Sequence, residues 1–520
     1  MFKPKKQSQS EMILYTMDEL VPQNHLLRKI KTHIDFSFIN PMCEHLYSRE
    51  NGRNCVEPEI LFKMVLIQHL FGIKSFRQTC KEIEVNVAYR WFIDCPFTEK
   101  VPDHSTYSQN LKRRFLSTTI FEDIFSEILH QAIQKRLISG QQLFTDSTHI
   151  KANANKRKGE KMIEESVKRR RESLEKEINQ EREKLGKKPI EFEDEIERKE
   201  IKRSLTDPDS GYYHRSHKEE GFMYLDHRSV DGKYNLIVDA YITKGNVHDS
   251  QPYLERLQYL EDKYQLKPQA VGLDSGYYSY EIIENLEEKG IFGVIGYRRF
   301  GSSKSEQKQL KKVFKYDEQQ DVYVCPLGVI FPLRNVNKQG YKIYHKKENC
   351  LGCPMAQQCL KGKAKIEIRR HIKQPIYDQN RINRLSDRGK ELYTRRKETV
   401  ERSFADSKQN HGYRYATYRG LDKVQASTWL SCAAQNMKKI ALIMANREAI
   451  SKKRDAKEAV SLKLVDISLK INLLISKFKS RANYEATLST VSTIRFVYEL
   501  FFCFIVIAQM LKNVLQFLTM

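Results

Sequence analysis

Three carboxylates stand out by their setting in this chain of 520 residues. Asp146 follows the apolar pair Leu143-Phe144, and Asp274 closes the run Ala270-Val271-Gly272-Leu273. An ionised side chain in an apolar strand is costly unless it is paired or binds a metal. The third, Glu401, lies in LYTRRKETVERSFADSKQNHG, which has helical spacing from Leu392 to Gly412, and it shares a face with Lys408 two turns on. Val400 and Phe404 form the adjoining apolar stripe and would turn Glu401 toward a sheet. Three such carboxylates suit two Mg²⁺ or Mn²⁺ ions, which prefer hard oxygen ligands. The chemistry would be in-line displacement at a phosphodiester, one ion activating the attacking oxygen and the other stabilising the leaving one. Water would attack first, and the freed 3′ hydroxyl would be the second nucleophile.

The elements that must position these acids follow from periodicity. LFTDSTHIKA from Leu143 reads as a strand. FMYLDHRSVD and YNLIVDAYITKG are β-branched and aromatic runs around Asp231-Gly232, a hairpin signal. SQPYLERLQYLEDKYQ reads as a helix and AVGLDSGYYS as a buried strand. YEIIENLEEKG reads as a helix closed by Gly290, and IFGVIGYR as a further strand. This order predicts an α/β domain with a mixed sheet. Asp231 and Asp249 compete with Asp274 for the second acid, but Asp231 falls in a turn and Asp249 reads as a helix cap, so Asp274 is preferred.

Upstream, the chain to about Phe115 reads as short helices. Ile60, Met64, Ile67 and Phe71 recur at helical spacing and predict an amphipathic core helix over Glu57–Phe71, with a second helix over Ser75–Glu84. In VPDHSTYSQNLKRRF, Asp103 or Ser105 is placed to cap a helix exposing Gln109, Asn110, Lys112, Arg113 and Arg114. Amide and basic side chains on one short helix suit a helix-turn-helix DNA reader.

Between the first two core strands, residues from about Arg157 to Arg203 are almost wholly charged. Ile163, Val167, Leu174, Ile178 and Leu185 follow the rhythm of a coiled-coil seam, and the Gly186-Lys-Lys-Pro189 turn would fold the segment back. This predicts a helical hairpin, with a solvated charged linker as the alternative. Farther on, Cys325, Cys350, Cys353 and Cys359 gather in one stretch, and Cys350 and Cys353 have the C-x2-C spacing of a zinc knuckle. Reduced cysteines in a small β-rich patch are the alternative to a structural Zn²⁺ site. Cys43, Cys55, Cys80, Cys95, Cys432 and Cys503 read as core residues.

Composition bears on partners. Lys and Arg number 90 against 66 Asp and Glu, a net charge of +24, which favours a polyanion such as nucleic acid. Cysteines are too sparse for a disulfide scaffold, and the start has no apolar stretch of signal-peptide length, so a reducing cytoplasm is expected. The apolar run Leu500–Leu511 is too short to span a bilayer and is bounded by Glu499 and Lys512. No membrane partner is expected; a terminal helix packing on the body or on another subunit is preferred over interfacial membrane contact.

Several motifs in order carry a family resemblance from about Leu14 to Met444: FGIKSFRQ, AYRWF and VPDHST; FTDSTHIKANANK; TDPDSGYYHR with YLDHRSVD; GNVHDS; VGLDSGYYS; and KETVERSFADSKQNHGYRYATYRG. The chain resembles the DDE-type transposases of bacterial insertion sequences, in the group with a β-rich insertion before the catalytic glutamate. The resemblance implies a ribonuclease H-like mixed sheet with flanking helices and an all-α N-terminal DNA-binding domain. It makes Asp146, Asp274 and Glu401 the three acids. It implies DNA contacts from Tyr393, Arg396 and Lys408 on the glutamate's helix, although Tyr393 and Arg396 lie one residue farther upstream than in the commonest form. Arg419, in the aromatic and basic run GYRYATYRG, is a further DNA-contact candidate. His149 and Lys151 either touch the DNA backbone or are plain strand-edge residues.

The expected domains are 1–115, helical and DNA-binding; 138–450, catalytic, with insertions at 156–205 (helical) and 300–385 (β-rich); and 451–520, a helical tail of no assigned role. The expected function is metal-dependent strand cleavage at element ends and strand transfer into target DNA. Double-stranded DNA would be the partner and a homo-oligomer on paired ends the working form, in the bacterial cytoplasm and on the nucleoid when bound to DNA. Two alternatives stay open: a catalytically inactive DNA-binding descendant, and a metal-dependent nuclease that hydrolyses without joining.

Overall fold

The structure is a computed structural model that describes residues 14–48, 54–167, 171–193, 196–214, 220–297, 310, 313–346, 353–355, 359, 366–485 and 505. It is a mixed α/β chain in two units, Met1–Ala441 and Leu442–Met520.

The first unit opens with eight helices: α1 Met17–Leu20, α2 Leu26–His33, α3 Ile39–Glu44, α4 Pro58–Leu70, α5 Phe76–Val85, α6 Val87–Phe92, α7 His104–Asn110 and α8 Ile120–Gln134. Local chemistry sets several starts. Ser75, Asn86 and Asp103 each accept a backbone N–H from the first turn of α5, α6 and α7. Pro58 opens α4, where its missing N–H costs nothing. The amphipathic reading of α4 needs correction: it is buried on nearly every side, Lys63 and Gln68 included, because neighbouring helices surround it. Lys63 is tolerated there by ion pairs to Glu59 (2.6 Å) and Asp94 (3.1 Å). A π-helical turn, Leu111–Phe115, continues α7.

The main sheet combines β1 Gln142–Lys151, β4 Gly211–Tyr213, β5 Gly221–Asp231, β6 Ile237–Lys244, β7 Ala270–Leu273 and β8 Phe292–Ile295. Its order is β4-β5-β1-β7-β8, with β6 also on β5. The β5 strand runs antiparallel to β1 and β6, while β1, β7 and β8 run parallel. Helices α10 Tyr253–Tyr264 and α11 Tyr280–Glu288 make the two crossovers that parallel pairing requires. The β5–β6 connection is longer than a two-residue turn: Asp231 still belongs to β5, and its carboxylate accepts the N–H groups of Ser139, Gly140 and Lys233.

The charged segment is not a helical hairpin. It forms a two-stranded antiparallel ribbon of β2 Gly159–Val167 and β3 Ile196–Ser204, with one helix between them, α9 Glu172–Lys184. The register explains the difference, for Glu160 faces Arg203, Glu164 faces Lys199 and Glu165 faces Arg198. Opposite charges across a ladder stabilise strands much as they do on helix faces. Only part of the supposed seam packs: Leu174 and Ile178 are buried with Tyr280 and Val336, whereas Ile163 is exposed.

A five-stranded antiparallel sheet follows: β9 Lys315–Asp317, β10 Val322–Val324, β11 Ile330–Val336, β12 Tyr341–Tyr344 and β13 Ile368–His371. Its own small core includes Phe314, Tyr323, Phe331, Tyr344 and Ile368. The chain returns through α12 Gln374–Leu385, α13 Asp387–Arg396, a π-helical turn Lys397–Glu401, α14 Arg402–Asn410 and the long α15 Leu421–Glu485. Two amides of α15, three turns apart, close the open edge of β6. Gln425 bonds the Ile242 N–H and the Ala240 carbonyl, and Asn436 bonds both backbone groups of Ile237.

In the second unit the helix continues to Glu485 and exposes Leu462, Val465, Leu469 and Leu473. The apolar run Leu500–Leu511 lies, except for Ile505, outside the described residues. Among the described residues no helix is long and apolar enough to cross a membrane.

Candidate active site

Asp146 sits midway along β1, and Asp274 is the first residue after β7, the parallel neighbour of β1. Adjacent strands therefore bring the two aspartates side by side. Glu401 arrives from the far side of the sequence on the π turn between α13 and α14, with Val400 and Phe404 buried beneath it.

One side chain joins all three. The guanidinium of Arg396 lies 2.7 Å from Asp146 Oδ2, 2.7 Å from Glu401 Oε1 and 3.7 Å from Asp274 Oδ1. The π turn makes this geometry. Its i→i+5 bonding stacks residues five apart, so Arg396 and Glu401 share a face that an α-helical turn would deny them. The same extra residue accounts for the upstream offset of Tyr393 and Arg396 in the sequence. Tyr393 donates its hydroxyl to Asp274 Oδ1 at 3.4 Å, and Arg384 lies over its ring at 3.7 Å.

Asp146 is the most enclosed acid, its side chain 18% exposed against 42% for each of the others. Burial pushes its carboxyl up to about 6; Arg396 and the Ser147 N–H pull the other way, while Asp274 and Asp249 add to the rise. For Arg396, burial opposes the charge, but the three carboxylates outweigh it and raise its pKa.

Asp249 caps no helix, since α10 begins after Pro252 without a side-chain cap. Instead its Oδ1 accepts the Ser147 hydroxyl at 2.6 Å, and a Cβ on Gly276 would lie 2.5 Å from its Oδ2. It thus stands between the residues that follow the first two acids. Sequence reasoning, which weighed Asp249 as a second acid or a helix cap, missed this because Ser147 is 102 residues away; the signal was the motif GNVHDS.

Among the described residues no group of three or more His, Cys, Asp or Glu side chains converges closely enough to hold a metal ion as it stands. At Asp146, Asp274 and Glu401 the physical reason is the guanidinium lying between them. Their chemistry nevertheless fits a divalent ion: hard oxygen donors gathered about one positive centre.

Other candidates are dispersed. Lys408 Nζ donates to the Thr148 hydroxyl, two residues past Asp146. Arg419 holds the Asn153 carbonyl at 2.8 Å. In the run before it, Tyr413 is buried and only Tyr415 is an exposed ring, with Lys151 over it at 5.4 Å. His149 stacks on Tyr213 with centroids 3.9 Å apart. Lys112 and Arg113 are exposed on the π turn after α7. Arg114 is half-buried, bonding the Leu46 carbonyl and Asn110 Oδ1, and Asn110, expected on the surface, is turned inward by that bond and one from Tyr47. Cys325 and Cys359 pack with the apolar core of the five-stranded sheet, Cys353 is half-buried, and Cys350 lies outside the described residues. Cys55 is exposed, contrary to its reading as core, and Cys503 also lies outside the described residues.

Two family models match the chain: residues 15–113 match Transposase domain (DUF772), and residues 324–441 match Transposase DDE domain. Together they support an insertion-sequence DDE transposase. No curated protein matches. Among solved structures, the cryo-EM structure of the piggyBac transposase synaptic complex with hairpin DNA is similar at 11% identity and a TM-score of 0.35, over 82% of this chain and 77% of that one. That likeness is too distant to carry an argument.

Proposed function

We propose that this chain is a metal-dependent transposase that cuts DNA at element ends and joins the freed ends to target DNA, with Asp146, Asp274 and Glu401 as its acids. The observation that carries the reading is the convergence of three carboxylates, from β1, the end of β7 and the α13–α14 turn, on one guanidinium. The sheet order β6-β5-β1-β7-β8, three strands antiparallel and the last two parallel to β1, supports a ribonuclease H-like catalytic layer. The division into a helical DNA-binding segment 1–115, a catalytic segment 138–450 with its two insertions, and a tail 451–520 belongs to the same reading.

Two Mg²⁺ or Mn²⁺ ions bound there would supply activation of the attacking oxygen and stabilisation of the leaving one. The chain's own residues do the rest. Asp146 and Asp274 are held by neighbouring parallel strands, so their spacing is set by the sheet. Glu401 is presented by the π turn, and Lys408, reaching Thr148 on β1, is placed to hold a DNA phosphate beside the acids. Tyr393 and Arg396, on the same helical run, are assigned as further DNA contacts. Lys112, Arg113, Arg114 and Arg419 are assigned to DNA outside the acid cluster, in keeping with a net charge of +24. A homo-oligomer on paired ends, in the bacterial cytoplasm, completes the reading; a structural Zn²⁺ at Cys325, Cys350, Cys353 and Cys359 is kept as a separate proposal.

The test is a joining assay with the element's terminal repeats and Mg²⁺, comparing the wild type with Asp146→Asn. Metal-dependent joining of 3′ ends that the variant loses supports the reading. Binding without cleavage would replace it with an inactive DNA-binding descendant, and cleavage without joining with a nuclease.

A further inference from the structure

We propose that Arg396 is a surrogate cation: it holds Asp146, Asp274 and Glu401 together in the metal-free protein and competes with an entering divalent ion for their charge, so that it sets the affinity for metal. The inference rests on the metal-dependent reading above and concerns how the site is kept before metal arrives.

Geometry carries it. The guanidinium reaches all three carboxylates, and the Arg396 side chain is only 9% exposed, so its charge is spent on them rather than on water. A planar fork can bond two carboxylates through different nitrogens, as it does here with Nη1 on Asp146 and Nη2 on Glu401. Arg395, the preceding residue, points elsewhere, to Gln142 Oε1 and the Gly232 carbonyl, so the placement belongs to Arg396 alone of the pair.

Charge gives the direction of the effect. Three carboxylates about one guanidinium leave the cluster short of positive charge, which a divalent ion makes good better than a single guanidinium. Guanidinium and metal ion are like charges that would draw on the same three carboxylates, so each weakens the other's hold on them. Removing the guanidinium uncovers the oxygens and raises the negative potential, so metal should bind more tightly to the variant. The π turn supplies freedom to yield. It keeps Arg396 and Glu401 in contact by one extra residue per turn, and a local return to α-helical bonding would rotate the two apart.

The experiment is calorimetric titration of Mn²⁺ into the full-length, metal-free protein without DNA, for wild type, Arg396→Gln, Arg396→Lys and Asp146→Asn. Arg396→Gln should bind Mn²⁺ about tenfold more tightly than wild type, with Arg396→Lys between them because an ammonium cannot span three carboxylates. In chelator, Arg396→Gln should melt below wild type, and saturating Mn²⁺ should close that gap. Equal or weaker Mn²⁺ binding by a cooperatively melting Arg396→Gln overturns the inference. Should Arg396→Gln fail to fold, Arg396→Lys decides by the same comparison. Wild-type binding that Asp146→Asn abolishes, with no gain in either arginine variant, sinks this inference and leaves the metal-dependent reading standing. Absence of Mn²⁺ binding in all four proteins sinks both.

Discussion

The Ser147 hydroxyl donates to Asp249 Oδ1 at 2.6 Å, tying a fourth carboxylate to the residue that follows Asp146. A Cβ on Gly276, in the 3-10 turn Ser275–Tyr277 after Asp274, would meet the same carboxylate at 2.5 Å, so that position must stay glycine. Asp249 therefore holds β1 beside Asp146 and lies against the turn that follows Asp274. Asp249→Ala should slow strand cleavage at least about tenfold, the effect of one lost hydrogen bond to a charged group. Asp249→Asn, which can still accept from Ser147, should lose less. Initial rates at saturating DNA would decide it; equal rates in Asp249→Ala and wild type would remove Asp249 from the site.

Asp146 gives a pH signature in metal-free protein. Its folded-state pKa of about 6 lies above the ordinary carboxylate value. That shift favours the folded state fully below about pH 4, and the contribution is lost as pH rises through about 6. Asp146→Asn should therefore stabilise the metal-free protein at pH 8 by roughly 1 to 3 kcal/mol, and the gain should vanish toward pH 4. Thermal melts across that range in chelator check it, and a gain that grows on acidification would contradict the assignment.

Lys408 reports on DNA. With its amine on Thr148, beside the acids, Lys408→Ala should weaken DNA binding about equally across sequences and lower the slope of log affinity against log salt by about 1. Binding titrations over a salt series would show it. An unchanged slope would make Lys408 a strand-to-helix tie alone.

Arg228 is the main structural counterweight. Fully buried on β5, it pairs with Asp226 at 2.7 Å and bonds Ser403 and Ser407 on α14 and Gln435 on α15. Arg228→Met leaves the Asp226 charge buried without its partner and should destabilise the chain by about 3 to 5 kcal/mol. The double variant with Asp226→Asn should recover much of that loss in denaturant unfolding.

Local order was legible in the sequence. Alternation and β-branched runs marked β1, β5, β6, β7 and β8, helical spacing marked α5, and a capping residue, Asp103 or Ser105, marked α7, because these signals act between residues a few positions apart. The apolar settings of Asp146 and Asp274 followed from the same periodicity, and Glu401 came from its motif. Pairing at a distance was not legible. The spacing of Ile163, Val167 and Leu174 fitted a coiled coil until β2 met β3, where Glu160, Glu164 and Glu165 face Arg203, Lys199 and Arg198. Asp249 resembled a cap because its partner lies on another strand. The upstream offset of Arg396 gained its meaning only from the π turn, which set that guanidinium among three carboxylates drawn from separate parts of the chain. Side-chain spacing along one element is a property of the local sequence; which charge faces which across a core depends on register and packing, and those exist only in the folded chain.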